Sequence, residues 1–498
     1  MDTINNLIYG FSICLAPANL LYCFLGSLMG TLIGVLPGIG PPGALALLIP
    51  ITLNIPPESA VIMLCGIMYG AMYGGSVTSI LVNIPGEAAS VITCLDGYTM
   101  ARKGRAGPAL GISALGSFIA GTISIFGLIL FASTLSNFAL KFGPPEYFSL
   151  MVFSFIILTF VSSSGMIKGM IMAVLGVALG TIGLDPTTGT QRFTLYLPSL
   201  MDGVGLVQAV IGLFGVSEIL VSLETFVKRE VYETKIKGLL PTLQDWKDSI
   251  FPILRATGIG FFLGIIPGIG VVLPTFVSYG LEKRISKDPS KFGKGFIAGV
   301  AAPEAANNAA AGGTLVPMLS LGIPTGASTA IVLGALMVYG VQPGPLLITE
   351  SPQVFWGLVA SLYIGNIMLL ILNLPLIGLW VKLLKIPYHL LSVLILLFCL
   401  IGSYSINCSA DDIIIMTLFG LIGYIAKKTD FELAPMVFGL VLGPMFENAF
   451  RRSLIISHGG FSLFFTRPIS LVFIGISIIT LFSLFFVKKR PTVTQDGS

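Results

Sequence analysis

Two stretches 230 residues apart interrupt apolar sequence in the same way. Residues 30–40 read GTLIGVLPGIG and residues 260–270 read GFFLGIIPGIG, so both match G-x-x-x-G-x-x-P-G-I-G. A Pro-Gly break in apolar sequence frees backbone groups that lipid cannot satisfy. It is tolerated only where protein or a water-filled cavity supplies partners. Breaks in corresponding places of two halves are a mark of transporters built from two repeats, whose sites form at discontinuous helices.

The composition places these breaks in a membrane. Charged residues make up 10% of the 498 residues and hydrophobic residues 55%. Soluble domains carry about 25% charged residues. The expected fold is therefore an all-α polytopic membrane protein in contact with the lipid bilayer. Fifty-nine glycines and 30 prolines suit interrupted, closely packed helices. The net charge of +4 resides in a few loops, which argues against a nucleic-acid partner and for cytoplasmic loops. Cys14, Cys23, Cys65, Cys94, Cys399 and Cys408 show no C-x-x-C spacing and read as packing residues. His389 and His458 stand far apart. The start shows no cleavable-leader pattern, and residues 1–17 read as a short amphipathic lead-in.

Apolar stretches long enough to span lie near 18–36, 58–82, 110–133, 147–162, 165–184 and 203–222. The second half offers 251–266, 296–320, 327–340, 354–380, 387–403, 411–426, 431–447 and 468–487. Some of these are half-helices, giving about 12 crossings. The expected organisation is a first membrane repeat at 1–222, a cytoplasmic linker at 223–250, a second repeat at 251–487 and a cytoplasmic tail at 488–498. The echo extends beyond PGIG. GGSVTSILVNIPGEAAS at Gly74–Ser90 parallels GGTLVPMLSLGIPTGAS at Gly312–Ser328, and GPAL at 107–110 parallels GPLL at 344–347.

Loop charges orient the halves. The first PGIG is followed by a stretch without Lys or Arg, whereas the second leads to Lys283, Arg284, Lys287, Lys291 and Lys294. After the Ile-Pro breaks the bias reverses: Arg102, Lys103 and Arg105 follow the first, and no charge follows the second. Equivalent loops on opposite sides imply two inverted-topology repeats. Two apolar pieces of roughly 15 residues between basic ends are about 22 Å each, too short to cross a core of about 30 Å twice. PGIG is thus expected at the tip of a re-entrant hairpin. Two hairpins and two broken helices would meet near the midplane.

The candidate substrate-binding residues follow from that geometry. They are Pro37, Gly38 and Gly40 at one tip and Pro267, Gly268 and Gly270 at the other. Around the first break they are Ser76, Thr78, Asn83 and Gly86. Around the second they are Asn307, Asn308, Gly312, Gly313, Thr314, Pro324, Thr325 and Gly326. None is cationic, so an anion would be held by backbone N–H groups and helix dipoles, notably at the restart after Pro324. The alternative is that the small residues only permit tight packing and the amides join helices. Intramembrane acids are functional candidates. Glu304 is the one expected to carry a coupling ion, Na+ or H+. Glu87, Asp185, Asp411, Asp412 and Glu447 suit caps or partners of nearby arginines, with Arg451 at i+4 from Glu447. Enzyme motifs such as G-x-S-x-G, H-E-x-x-H and the P-loop are absent, and no cofactor is expected. An anion channel or a polytopic membrane enzyme are the competing readings.

The stretches GTLIGVLPGIGPPGALALLIPIT, YGAMYGGSVTSILVNIPGEAASVITCLDGYTMARKGRAGPALG, TIGLDPTTGTQRFT and EKRISKDPSKFGKGFIAGVAAPEAANNAAAGGTLVPMLSLGIP resemble the large membrane subunit of bacterial tripartite tricarboxylate transporters. The resemblance implies a multi-pass secondary transporter of the bacterial inner membrane. It would act with a small membrane subunit and a periplasmic solute-binding protein that delivers a carboxylate substrate, with an ion gradient driving uptake.

Overall fold

The computed structural model describes residues 2–36, 38–185, 187–224, 238–384, 386 and 388–486. Pro37, the middle of the linker and the 488–498 tail lie outside the described residues. The first half runs α1 (Asp2–Cys14), α2 (Pro17–Gly34), α3 (Gly40–Thr52), α4 (Pro57–Val82), α5 (Val91–Arg102), α6 (Ala106–Ala139), α7 (Pro144–Val161) and α8 (Met166–Gly180). A two-stranded hairpin follows, with β1 (Gly183–Leu184) antiparallel to β2 (Gln191–Arg192). Helices α9 (Leu206–Val210) and α10 (Ser217–Glu224) are joined by a π-helical segment, Ile211–Val216.

The second half runs α11 (Leu243–Gly264), α12 (Val272–Ile285), α13 (Ala298–Leu321), α14 (Ala327–Val338), α15 (Leu347–Glu350), α16 (Pro352–Asn373), α17 (Ile377–Leu384) and α18 (Tyr388–Asn407). It closes with α19 (Ala410–Lys428), α20 (Ala434–Ile456), α21 (Ser462–Thr466) and α22 (Pro468–Phe486). Proline opens α2, α4, α7 and α16, where its missing N–H costs nothing. Among the described residues, seven helices are long and apolar enough to cross a membrane. The chain is thus an all-helical, multi-pass membrane protein. Helix α11 begins at Leu243, inside the stretch read as linker, so this hairpin arm has 22 residues rather than roughly 15.

Helices α4 and α13 form the centre. Every residue of α13 is buried, as is α4 from Ser59 onward. Helices apolar all round belong in such a position. Lipid-compatible faces carry exposed Leu, Ile, Val and Phe, for example Ile167, Val393 and Ile479. Small residues bring backbones together around the centre. A Cβ on Gly30 of α2 would lie 2.3 Å from Ile67 O of α4, and one on Gly260 of α11 would lie 2.3 Å from Ala306 O of α13. Gly34 meets Ala71 as Gly264 meets Ala310, and Gly74 meets Thr31 O as Gly313 meets Phe261 O. These close contacts recur at an offset of 230 residues along α2 and α11 and of 239 along α4 and α13. By these contacts Gly74 matches Gly313, one residue from the partner that the Gly-Gly echo pairs with it.

The charged loops gather on one face. Lys103 Nζ donates to Lys294 O at 2.6 Å, and Arg105 pairs with Asp245 at 2.5 Å. Their uncharged counterparts also touch one another, since Thr52 and Tyr339 are hydrogen-bonded.

Candidate functional site

The PGIG turns require glycine. Gly38 and Gly40 have φ of 91° and 59°, and Gly268 and Gly270 have 88° and 66°. Side chains with a Cβ avoid that left-handed region. Each tip rests on the Ile-Pro break of its own half. A Cβ on Gly40 would lie 3.5 Å from Glu87 Cβ and 3.6 Å from Gly86 O. One on Gly270 would lie 3.6 Å from Thr325 O and 4.0 Å from Gly326 Cα. Gly38 faces the carboxylate of Glu218 on α10, whereas Gly268 packs on the α7 backbone at Ser154 and Leu158. Pro267 is half-buried beside it.

The breaks are built alike. Helix α4 ends at Asn83 with φ 58°, and α13 ends at Gly322 with φ 69°, both left-handed caps. Asn83 is exposed, and its conformation accounts for an amide there. The restart differs from expectation. Thr329 Oγ1 accepts from Thr325 N at 3.0 Å and Gly326 N at 3.1 Å. Ser90 Oγ accepts from Glu87 N at 3.3 Å. These N–H groups are capped within the chain rather than left for a ligand. A hydroxyl residue three positions into a restarting helix is the sequence signal for such a cap.

Two buried carboxylates sit where the halves meet. Glu304 is 1% exposed and accepts from Ser76 Oγ at 2.6 Å, Thr93 Oγ1 at 2.6 Å and Ser113 Oγ at 3.0 Å. The three hydroxyls belong to α4, α5 and α6 of the first half, while Glu304 belongs to α13 of the second. Glu87 returns the connection by accepting from Asn307 Nδ2 at 2.7 Å. Asn308 Nδ2 donates to Glu304 O at 3.2 Å. Among the described residues, Asn307 Oδ1, Asn308 Oδ1 and Thr325 Oγ1 are buried oxygens without a hydrogen-bond partner. Such atoms call for a ligand, an ion or ordered water. The first tip, Glu87, Asn307 and Glu304 thus form one contiguous cluster, with the second tip against Thr325.

Other candidates make packing contacts instead. Thr78 Oγ1 donates to Val35 O at 3.0 Å, joining α4 to the end of α2. Thr314 Oγ1 bonds Ala311 O within its own helix at 2.6 Å. Gly312 faces Ser124 of α6, Gly313 faces Phe261, and Gly86 lies against Gly75. Pro324 is buried at the break.

The remaining acids have structural partners. Arg451 pairs with Asp185 at 2.9 Å and with Glu447 at 2.7 Å, and Arg192 pairs with Glu447 at 2.6 Å. The Thr187 N–H, with Arg451, holds the Asp185 carboxyl down at about 2. Asp411 lies in the first turn of α19, where its N–H bonds Ser409 Oγ, and Asp412 is buried. Asp96 is an acid that the sequence did not single out. Fully buried, it accepts from Gly293 N at 3.0 Å, Gly295 N at 2.7 Å, Phe296 N at 2.8 Å and Tyr279 Oη at 2.9 Å. It ties α5 to the basic loop preceding α13.

The tripartite tricarboxylate transporter TctA family matches residues 20–438. An Agrobacterium vitis protein described as an uncharacterized 52.8 kDa protein in the TAR-I ttuC′ 3′ region is 46% identical over 98% of each chain. A second Agrobacterium vitis protein, from the TAR-II ttuC′ 3′ region, is 48% identical over 44% of this chain and 91% of its own. An uncharacterized protein of Methanocaldococcus jannaschii is 24% identical over 84% of this chain and 96% of its own. No solved structure matches. The family match spans most of the chain and the first relative nearly all of it, so this protein belongs to the tripartite tricarboxylate transporter TctA family.

Proposed function

We propose that the chain is the solute-conducting subunit of a secondary active transporter for tricarboxylates or related carboxylates in the bacterial inner membrane. It works with a small membrane subunit and a periplasmic solute-binding protein, and an Na+ or H+ gradient drives it. The observation that carries this reading is the cross-half cluster of Glu304 with Ser76, Thr93 and Ser113, joined to Glu87–Asn307 beside the first hairpin tip. Two carboxylates buried without a basic partner among these bonds mark a place for a cation or a proton. The unpaired oxygens of Asn307, Asn308 and Thr325 suit the same kind of guest. The carboxylate solute would bind beside the tips, with the coupling cation offsetting its charge, since the N–H groups of the restarts are already taken by Ser90 and Thr329.

The two halves are read as inverted-topology repeats. Supporting this are the offsets of 230 and 239 residues, the matched tip-to-break contacts, and the hydroxyl caps at Ser90 and Thr329. The meeting of Lys103 with Lys294, and separately of Thr52 with Tyr339, suits equivalent loops on opposite faces. Glu304 and Asn307 would correspond to Cys65 and Met68, so the polar function is carried by one repeat only. Such asymmetry fits a site in which one repeat supplies the ligands.

The test is citrate uptake into proteoliposomes holding all three subunits under imposed Na+ or pH gradients. Gradient-driven, saturable uptake is expected. Conduction that persists without any gradient and does not saturate would establish a pore instead.

A further inference from the structure

A cavity of about 580 Å³ opens beside the second broken helix. Its lining includes Phe142, Tyr147, Gly322, Pro343, Asn448 and Arg452. Helix α6 leaves the basic face after Arg105 and extends for 34 residues, about 51 Å of helix, before the chain reaches Phe142. The cavity therefore lies toward the face opposite the basic loops. Gly322 places it three residues from Thr325.

The charge of this cavity is one-sided. Arg452 is the one ionised side chain among its lining residues, none of which is acidic. Asp202 lines the neighbouring cavity rather than this one, and three further acids nearby are already engaged. Glu447 pairs with both Arg192 and Arg451, Asp185 pairs with Arg451, and Glu146 pairs with Arg467 at 3.4 Å. Adjacent residues of α20 thus have opposite situations. Arg451 is neutralised in a second cavity of about 330 Å³, while Arg452 keeps its charge facing the first. Asn448, one helical turn back, lines both and adds an amide. Arg452 is exposed to the cavity, and a cleft lined by charge of one sign raises the local concentration of anions. The guanidinium also matches the planar fork of a carboxylate.

We propose that this cavity is an anion-binding vestibule in which Arg452, with Asn448, holds a carboxylate group of the solute before it reaches the Thr325 break. The proposal deepens the transport reading and rests on it for the identity of the solute.

Two measurements test it. The first is labelling of Gln342→Cys, an exposed position of the vestibule, in a Cys408→Ser background of the full chain. With each rate divided by that for a small free thiol, the anionic methanethiosulfonate reagent should be favoured over the cationic one at least about fivefold, and citrate should slow it. Arg452→Gln should abolish both effects. Equal rates for the two reagents without citrate protection would overturn the vestibule. The second is citrate uptake by the three-subunit transporter. Arg452→Gln should raise KM about tenfold with kcat within about twofold, and Arg452→Lys should recover part of the loss. An unchanged KM would overturn the proposal while leaving the transport reading intact. Citrate protection without any uptake by the wild-type protein would retain the vestibule and refute transport. A defect seen only when the solute-binding protein presents the citrate, with citrate protection of the vestibule cysteine unaltered in Arg452→Gln, would overturn the proposal in favour of a protein-docking contact.

Discussion

At the residue scale, Glu304 and Asn307 make separable predictions. A carboxylate held by three hydroxyls loses its charge but keeps its shape in Glu304→Gln. Gradient-driven citrate uptake should fall at least about tenfold, while counterflow exchange of citrate, which needs no net ion movement, is partly retained. Equal loss of both would move Glu304 to a structural role. Asn307→Ala removes the donor to Glu87 and leaves that buried carboxylate unpartnered, a loss of about 1–3 kcal/mol. Loss of uptake with normal membrane insertion is expected for Asn307→Ala and for Asn308→Ala. Wild-type uptake in both would place the amides among the packing residues. By contrast, Thr78→Val deletes bonds from one hydroxyl to Val35 O and to Gly74 O of its own helix, both packing contacts, so uptake should stay near wild type.

At the element scale, the clasp between α5 and the loop before α13 turns on Asp96. Four donors converge on one buried carboxylate, and charge-assisted bonds contribute about 1.5–3 kcal/mol each. Asp96→Asn should lower thermal stability and open the 286–296 loop to protease, with proteolysis read on the purified protein. A variant as protease-resistant as wild type would dissolve the clasp. The Asp185 cluster on the other face behaves differently with pH. Its carboxyl is held at about 2, below the ordinary value of 3.8, so its contribution is present above the ordinary value. That contribution is lost only as pH falls through the folded value. Thermal stability measured from pH 8 to 5 should therefore show no step that Asp185→Asn removes.

At the scale of the whole molecule, the hairpins meet different surroundings. Gly38 approaches Glu218 of α10, whereas Gly268 presses on α7 at Ser154 and Leu158. A transport unit of hairpins, α4 and α13 moving against α7 and α10 would change these distances in a transport cycle. Paired cysteines at Ser154 and Ile269 should crosslink readily in one state and stop uptake, with reduction restoring it. Crosslinking that leaves uptake untouched would make this contact part of a fixed scaffold.

The sequence by itself determined the membrane class, the positions of most helices and the two PGIG interruptions. Each of these is a local property. Apolar run length decides whether a segment can span, proline and glycine decide where a helix must stop, and left-handed turns demand glycine at Gly38, Gly40, Gly268 and Gly270. Glu304, Asn307 and Asn308 were legible as polar residues in apolar surroundings, because burying such groups is costly unless they serve. Tertiary structure alone decided their partners. Ser76, Thr93 and Ser113 reach Glu304 from positions 191 to 228 residues away, and nothing in local sequence encodes that meeting. The match of Gly74 to Gly313 rather than Gly312, the Asp96 clasp and the Arg452 guanidinium without an acidic neighbour in its cavity were illegible for the same reason. Spacing along a chain reports which residues share a helix face, whereas the pairing of faces depends on how closely whole helices approach.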